Sequence, residues 1–393
     1  MENNDIQNDE EYSIKTIEKW DEYDLDTPLL RGIYAFGFEN PSQIQKTAIL
    51  PVIEKRDVIA QAPSGTGKTG AFTVGTLQRI DISQKKTQAI ILAPTHELVR
   101  QITSVVSGMG SMMDGLVVKT LVGGTSVAED AADLRMNVPH IIIGSVGRVN
   151  DMVRRRNIKM NDIKMFVLDE ADEMLSGGFI ESVHYMFQCL NSDVQVAVFS
   201  ATMPPEMLEL TSKFMRNPVK ITIEAEKLNL EGISQYYIAL SDDNSKFDTL
   251  KDLLGQLSVN QMIIYSNSVN RVIDLYDALI KENFAVCCLH STMPSHERKA
   301  VLQDFRGSKY RIMISSDVTA RGIDVQQVST VINFDVPRNV NTYLHRIGRS
   351  GRWGRKGMAI NFVTRQDIGN LKNIESHYKS NIEELPGDFA TKI

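Results

Sequence analysis

A glycine-rich segment of this sequence ends in two residue types that often bind phosphate and its metal ion. Residues 62–69 read Ala-Pro-Ser-Gly-Thr-Gly-Lys-Thr and follow a short apolar run that predicts a buried strand. Glycine can adopt backbone angles closed to other residues, so successive N–H groups can point at phosphate oxygens, and a helix start adds further unpaired N–H groups. Position 62 is alanine rather than the usual first glycine, and a chance glycine-rich turn is the alternative. We predict that phosphates and Mg²⁺ are bound by Ser64, Gly65, Thr66, Gly67, Lys68 and Thr69.

An acidic pair follows a second apolar run. Residues 164–168, Lys-Met-Phe-Val-Leu, predict a strand buried on both faces of a parallel sheet, and Asp169 and Glu170 come directly after it. Ligands bind at that edge in open α/β sheets. Asp169 can hold a magnesium ion, directly or through water, and Glu170 can orient the attacking water. An acidic cluster alone is more often a solvated loop, but beside the glycine-rich segment it indicates nucleotide hydrolysis.

Short apolar runs alternate with helix-like stretches along most of the chain. This alternation predicts βαβ units, and therefore an α/β protein with parallel sheets flanked by helices. It begins near residue 20, pauses at a polar segment and then restarts without a second phosphate loop. We predict a disordered acidic tail over 1–19, a nucleotide-binding domain over 20–220, a linker over 221–232 and a second domain over 233–393.

Composition bounds the class of protein. A hydrophobic content of 42% and a charged content of 23% are ordinary for a globular protein, and no apolar run approaches a membrane span. The polar, acidic N-terminus argues against a signal peptide. Three cysteines without a Cys-x-x-Cys spacing argue against a disulfide framework and a zinc site. The net charge of −6 predicts that any binding of nucleic acid is local, modest and sensitive to salt.

The second half carries its own candidate chemistry in the segment His345–Arg352. Its arginines are spaced by three and interleaved with glycine, so several guanidinium groups can share one surface. Such groups suit phosphate, and an arginine supplied to a γ-phosphate accelerates its transfer. A solvated basic face is the alternative for this segment taken by itself.

These motifs together resemble the DEAD-box RNA helicase family, and within it the initiation factor 4A group. The resemblance runs from about Trp20 to the C-terminus with scarcely an insertion. It implies two tandem RecA-like domains that bind ATP and Mg²⁺. It depends on six motifs, which are Gly37–Gln45, Ala62–Thr69, Asp169–Asp172, Ser200–Thr202, Ala320–Asp324 and His345–Arg352.

The resemblance also implies roles for individual residues of the ATP site. Gln45 resembles the residue that reads adenine, and Asp324 the acceptor for the ribose hydroxyls. Trp20 stands where the family has an aromatic that stacks on the base, although a packing residue is the alternative. Arg346 and Arg349 resemble arginines that contact the γ-phosphate. Coupling between the two domains is implied for Asp172, Ser200, Thr202 and His345.

A further set of residues resembles the family's RNA contacts, which are chiefly to the sugar–phosphate backbone and carry little sequence preference. Ordinary loop chemistry is the alternative for any single member. The set comprises Thr95, Gly123, Gly124, Arg148, Asn267, Arg306, Ser316 and Arg321.

Three departures from the family pattern lie on this RNA side. His96 replaces an arginine, Val146 replaces a proline after Ser145, and Ser291 replaces a glycine. Arginine is always charged, whereas histidine, with a reference pKa of about 6.5, is mostly neutral above neutral pH. We therefore expect RNA binding to be weaker than is usual and to strengthen on mild acidification.

The sequence thus predicts an ATP-dependent RNA helicase with RNA-stimulated ATP hydrolysis and local, non-processive unwinding of short duplexes. The expected partners are single-stranded and short duplex RNA and scaffold or activator proteins of translation initiation, with no membrane. We expect a monomeric, cytoplasmic protein. The alternative is an ATP-gated RNA clamp, a platform for ribonucleoprotein assembly, for which a nuclear location would fit. A DNA translocase is disfavoured by the resemblance.

Overall fold

The computed structural model describes residues 15–63, 65–176, 178–223, 233–257, 261–317, 328–350 and 357–387. The chain divides into two compact units. The first comprises Met1–Ala62 and Thr66–Ile223, and the second comprises Pro63–Gly65 and Glu224–Ile393. Within the described ranges, no helix is both long and apolar enough to cross a membrane.

The described part of the first unit is built on a parallel sheet of seven strands in the order β3-β4-β2-β5-β6-β1-β7. Its strands are β1 (Val58–Gln61), β2 (Ala89–Ala93), β3 (Val118–Leu121), β4 (Ile141–Ser145), β5 (Met165–Asp169), β6 (Gln195–Ser200) and β7 (Val219–Thr222). Its helices are α1 (Thr27–Ala35), α2 (Gln43–Ile53), α3 (Lys68–Arg79), α4 (His96–Met109), α5 (Val127–Met136), α6 (Val146–Arg154), α7 (Ala171–Ser176), α8 (Ile180–Gln188) and α9 (Pro205–Phe214).

Helices cover both faces of this sheet, because its strands are apolar on both sides. In β2, Ala89 and Ile91 pack in one core cluster while Ile90 and Leu92 pack in the other. Successive side chains of a strand point to opposite faces, so a run of consecutive apolar residues requires two covered faces. This double burial holds the strands rigid and leaves their carboxyl ends as the positions for polar chemistry.

The second unit repeats the architecture. Its described strands form a parallel sheet in the order β10-β11-β9-β12-β13-β8-β14. They are β8 (Ile233–Ala239), β9 (Gln261–Tyr265), β10 (Val286–Leu289), β11 (Ile312–Ser315), β12 (Val328–Asn333), β13 (Gly357–Val363) and β14 (Glu383–Glu384). The helices are α10 (Ser245–Gln256), α11 (Val269–Lys281), α12 (Ser295–Arg306), α13 (Val340–Ile347) and α14 (Ile368–Tyr378).

The predicted fold class, two α/β halves with parallel sheets flanked by helices, is confirmed. Two boundaries differ in detail. Strand β7 pairs with β1 as far as Thr222, so the first unit extends into the segment predicted as a linker over 221–232. Near the N-terminus, the backbone N–H of Ile17 donates to the carbonyl of Lys46 and Glu18 pairs with the Lys46 ammonium, so the end of the predicted tail is attached to α2.

Candidate functional site

Three neighbouring strands of the first sheet bring the phosphate-loop residues and the acids to one edge. Strands β5, β6 and β1 lie side by side, and their carboxyl ends lead to Glu170, Ala201 and Ala62 respectively. The N–H of Ala62 donates to the carbonyl of Ser200 at 3.0 Å, which ties the start of the loop to the end of β6. We call the carboxyl ends of β1, β5 and β6 the phosphate-loop edge.

Lys68 lies at the centre of the phosphate-loop edge. It is the first residue of α3, and its ammonium donates to the carbonyl oxygen of Ala62 at 2.8 Å. The same nitrogen lies 3.6 Å from a carboxylate oxygen of Glu170, and both side chains are buried. The ammonium therefore has one close carbonyl and one more distant carboxylate, contacts that a phosphate oxygen can replace because it offers a stronger charged acceptor.

Asp169 is buried at the end of β5, with 2% of its surface exposed. Burial, followed by the nearby charge of Glu170, raises the pKa of the Asp169 carboxyl to about 7, and the Lys68 charge offsets part of this. One Asp169 oxygen accepts from the N–H of Glu170 at 3.1 Å. A buried carboxylate that loses stability by ionising fits a hard divalent cation, which prefers oxygen ligands, and the hydroxyl of Thr69 in the first turn of α3 is a second oxygen of that type.

Glu170 has a strained backbone at this edge. Its φ is 50°, in the left-handed region that residues other than glycine seldom adopt. Strain of this kind persists where the surrounding structure imposes it, and it clusters at functional sites. Here it lies at the end of β5, at the residue whose carboxylate lies 3.6 Å from the Lys68 ammonium.

Gln45 packs against the phosphate loop through two glycines. Its amide nitrogen donates to the carbonyl of Gly67 at 3.1 Å, and its amide oxygen accepts from the N–H of Ser42 at 2.8 Å. A Cβ added at Gly67 would lie 2.8 Å from that amide nitrogen, and one at Gly70 would lie 2.4 Å from it. A side chain at either position would displace the Gln45 amide, and Gly67 also has a φ of 99°, so Gln45 is joined directly to the loop.

Trp20 is fully buried beside this cluster. Its ring centroid lies 6.0 Å from that of Tyr23 and 6.3 Å from that of Phe38. A nucleotide base can stack only on an exposed ring face, so this placement favours the packing alternative for Trp20.

Three of the expected coupling residues form a chain of hydrogen bonds at the phosphate-loop edge. The Ser200 hydroxyl accepts from the N–H of Asp172 at 3.2 Å, and the Thr202 hydroxyl donates to the Asp172 carboxylate at 2.7 Å. Asp172 lies in α7, directly after the acidic pair. The arrangement connects the ends of β5 and β6. His345 is buried in α13 of the second unit.

The expected RNA residues of the first unit gather at the other half of the same sheet edge. Thr95 follows β2, Gly123 and Gly124 follow β3, and Arg148 lies in α6 after β4, and these strands are neighbours in the order β3-β4-β2. A Cβ added at Gly123 would lie 3.2 Å from the Nε2 atom of His96. We call the carboxyl ends of β2, β3 and β4 the glycine-pair edge.

Arg148 makes its hydrogen bonds within the protein. Its guanidinium donates to the hydroxyl and to the carbonyl of Thr125, each at 2.8 Å, and pairs with the buried carboxylate of Asp130. The expectation of an RNA contact for Arg148 is therefore at odds with its surroundings.

In the second unit, Asn267 and Ser316 follow β9 and β11, which are adjacent strands. The side-chain amide of Asn267 donates to the carbonyl of Val336 at 3.0 Å. The backbone N–H of Asn267 donates to the Asp335 carboxylate at 3.0 Å. Arg306 is exposed at the end of α12.

Arg346, which the resemblance expects at the γ-phosphate, makes its described contacts within the second unit. Its side chain is fully buried within the second unit and lies over the ring of Tyr265, 5.2 Å from its centroid. Four donor contacts fix it, to Asp317 at 2.6 Å, to Asn333 at 3.2 Å, to the carbonyl of Asp335 at 2.8 Å and to Asn267 at 2.8 Å. An arginine held in this way joins the loops after three strands, and four of its five N–H donors are used by protein acceptors. Arg349, one turn further along, is buried as well.

Three expected site residues lie outside the described residues, namely Ser64, Arg321 and Asp324. Conversely, three residues at these edges were missed by the sequence reasoning. The Tyr23 hydroxyl donates to the carbonyl of Gln45 at 3.0 Å, and Thr125 and Asp130 hold Arg148. Each acts on a partner 18 or more residues away, and no motif spans that distance. Asp130 could have been noticed only as an acid in the first turn of α5.

Two family models match the chain. The model described as DEAD/DEAH box helicase matches residues 42–210, which include the whole phosphate-loop edge. The model described as Helicase conserved C-terminal domain matches residues 245–354, which include Arg346 and Arg349.

Similar proteins extend over nearly the whole chain. A Saccharomyces cerevisiae protein named ATP-dependent RNA helicase eIF4A is 49% identical over 379 residues, 96% of this chain and 95% of the relative. A Caenorhabditis elegans protein named Eukaryotic initiation factor 4A is 48% identical, covering 96% of this chain and 94% of the relative. The solved structure of S. cerevisiae Dbp5 bound to RNA and ADP BeF3 is 34% identical with a TM-score of 0.88, covering 96% and 97%. The chain therefore belongs to the DEAD-box family of ATP-dependent RNA helicases, in the group similar to eIF4A.

Proposed function

We propose that this protein is an RNA-stimulated ATPase that unwinds short RNA duplexes locally and without processivity, in translation initiation. The observation that supports it most directly is the convergence of Lys68, Asp169 and Glu170 at the phosphate-loop edge. Phosphate binding needs a cation at a helix start, and hydrolysis needs an acid that can orient water. Both are present within one cluster of side chains.

On the nucleotide side, a bound phosphate gives the Lys68 ammonium a charged partner in place of the Ala62 carbonyl and the Glu170 carboxylate. Glu170, separated from Lys68, can then accept a hydrogen bond from water and orient it for attack. Asp169 and Thr69 are the residues that would hold Mg²⁺, which neutralises charge on the phosphate oxygens. Gln45 is the candidate reader of adenine, with Trp20 buried against Tyr23 and Phe38 nearby, and Ser64 and Asp324 complete the proposed ATP site.

On the RNA side, the glycine-pair edge and the loop of Asn267 and Ser316 are the proposed contacts, together with Arg306 and Arg321. The solved structure of Dbp5 with RNA supports RNA as the ligand of this fold. We propose that binding of ATP and RNA to the two units favours a closed state that supplies Arg349 to the γ-phosphate. The coupling residues Asp172, Ser200, Thr202 and His345 would transmit the phosphate state, and hydrolysis would reverse the closure.

The names of the relatives favour the helicase over the clamp as the main role, and initiation over RNA processing. Scaffold or activator proteins of the initiation machinery are the proposed protein partners, and a monomer in the cytoplasm is the proposed state.

The test is ATP hydrolysis with and without single-stranded RNA, on the wild type and on Glu170→Gln. We expect RNA to stimulate the wild type and the variant to lose hydrolysis while it still binds ATP. Stimulation by single-stranded DNA to the same degree would argue for a DNA translocase, and a variant with full activity would remove Glu170 from the mechanism.

A further inference from the structure

A buried ion pair lies beside the loop that carries Gly123 and Gly124 and is hydrogen-bonded to it. Arg148 of α6 and Asp130 of α5 pair with 8% and 9% of their side-chain surfaces exposed. Thr125, in the loop between β3 and α5, contacts both members of this pair. Buried charges that are paired and hydrogen-bonded define one geometry, because alternatives leave a charge without a partner.

Thr125 links the ion pair to the backbone of the loop. Its hydroxyl lies 3.0 Å from the carbonyl of Val122 and 2.9 Å from an Asp130 oxygen, and it accepts from Arg148 at 2.8 Å. Arg148 also donates to the Thr125 carbonyl at 2.8 Å. These bonds fix the chain immediately before and immediately after the glycine pair.

The second glycine of the pair, Gly124, is open, whereas Gly123 lies against His96. Gly124 has a φ of 84°, and a Cβ built on it would meet no atom within 4 Å. A glycine in such a place keeps its backbone N–H accessible to a large ligand, provided that the turn does not collapse. The bonds around Thr125 supply that rigidity.

We propose that Asp130 and Thr125 are positioning residues for RNA binding, and that they act through Arg148. Arg148 holds the glycine pair so that its backbone meets the RNA phosphates, rather than contacting phosphate itself. This inference depends on the proposed function, since it assumes that the glycine-pair edge binds RNA.

The two roles for Arg148 make opposite predictions for Asp130. If Arg148 contacts phosphate, Asp130 competes with RNA for it, and Asp130→Asn strengthens RNA binding. If Arg148 holds the loop, the same variant releases the loop and weakens binding. The sign of the change therefore separates the two roles.

Asp133 provides a matched control for the loss of one negative charge. It lies one turn further along α5, is half exposed and pairs with Lys119, which also lies 3.6 Å from Asp130. Asp133→Asn removes the same charge from the same helix and leaves the bonds of Arg148 in place.

The experiment measures binding of a fluorescently labelled single-stranded RNA, with a non-hydrolysable ATP analogue, across a series of salt concentrations. We expect Asp130→Asn to weaken binding roughly tenfold and Asp133→Asn to change it by less than about twofold. For Arg148→Gln we expect weaker binding with an unchanged salt slope. A cation that neutralises one phosphate of a single strand would instead, on removal, lower that slope by about 0.7.

A second pair of variants covers the case in which Asp130→Asn fails to fold. Thr125→Ala removes the linking hydroxyl and should weaken RNA binding, while Thr125→Ser keeps it and should restore binding. The affinity for ATP without RNA should be unchanged in all of them. If the wild type binds no RNA, the proposed function fails. If the wild type binds RNA and Asp130→Asn binds as tightly or more tightly, or Thr125→Ala matches Thr125→Ser, the inference is overturned.

Discussion

The phosphate-loop edge and the glycine-pair edge belong to one sheet, yet they hold their buried cations differently. Lys68 has one carbonyl at 2.8 Å and a carboxylate at 3.6 Å. Arg148 has two bonds to Thr125 and a close carboxylate partner. At Lys68 a phosphate oxygen can replace one carbonyl and one distant carboxylate, whereas Arg148 would have to give up two hydrogen bonds and a close ion pair. We therefore expect the phosphate-loop edge to bind and hydrolyse ATP. We expect the buried cation of the glycine-pair edge to hold the loop in one conformation.

Arg346 extends this comparison to the second unit. Like Arg148 it is buried and fixed by several protein acceptors, and like Arg148 it stands in a motif whose arginines are expected to contact phosphate. A planar guanidinium with five donors is well suited to joining several loops at once, which a single ammonium is not. Residue type and motif position alone thus do not distinguish a cation that binds a ligand from one that organises the site.

The largest effect is expected at Lys68. Lys68→Ala should lower the rate of RNA-stimulated ATP hydrolysis by roughly 10²–10³-fold, because a preorganised donor to the phosphates is lost. Steady-state hydrolysis at saturating RNA measures it. Lys86→Ala, at an exposed ion pair with Asp162, should leave the rate unchanged. A Lys68 variant with near wild-type hydrolysis would contradict the claim that the cation of the phosphate-loop edge binds the ligand.

Substitution of Arg346 should lower the free energy of unfolding more than it lowers the rate of ATP hydrolysis. Arg346→Lys keeps the charge but cannot reach four acceptors, so we expect a loss of about 3 kcal/mol in the free energy of unfolding. Urea unfolding measures it, with Arg306→Lys at an exposed position as the control within about 0.5 kcal/mol. Unchanged stability with a slower phosphate step would restore the γ-phosphate role for Arg346.

Unlike Arg346, Asp169 should lower the stability of the folded protein near neutral pH while it is needed for ATP hydrolysis. Because the folded protein raises its pKa to about 7, the stability it contributes is present below its unfolded pKa and is lost as pH rises towards 7. Without nucleotide, Asp169→Asn should therefore raise the free energy of unfolding at pH about 8, on the order of 2 kcal/mol, and much less at pH about 4. The variant should also lose ATP hydrolysis. A variant that is less stable at the higher pH would contradict the account of Asp169.

The smallest effect is expected at His96, which lies against Gly123. His96→Arg adds a permanent charge at the glycine-pair edge, so RNA binding should tighten a few-fold and lose its dependence on pH near the reference histidine pKa of about 6.5. RNA titrations on either side of that pH measure it. An unchanged affinity and pH dependence would show that His96 takes no part in RNA binding.

The phosphate-loop edge could be predicted closely from the sequence because its logic is local. Lys68 follows a strand and a glycine turn, Asp169 and Glu170 end a strand, and parallel strands bring such ends together. The roles of Arg148 and Arg346 could not be predicted in this way. Their partners lie 11 to 79 residues away, and only the folded chain brings Asp130 or Asn267 to them. The burial of Trp20 could not be predicted either, because it depends on packing against Phe38, which lies 18 residues away in the sequence.

We propose above all that ATP hydrolysis at the phosphate-loop edge separates RNA strands. The most direct test is the release of a labelled strand from a short RNA duplex, followed with ATP, without ATP, and with Lys68→Ala. We predict release by the wild type that requires ATP and is absent in the variant. RNA-stimulated hydrolysis with the duplex held intact would contradict the claim and identify the protein as an ATP-gated clamp.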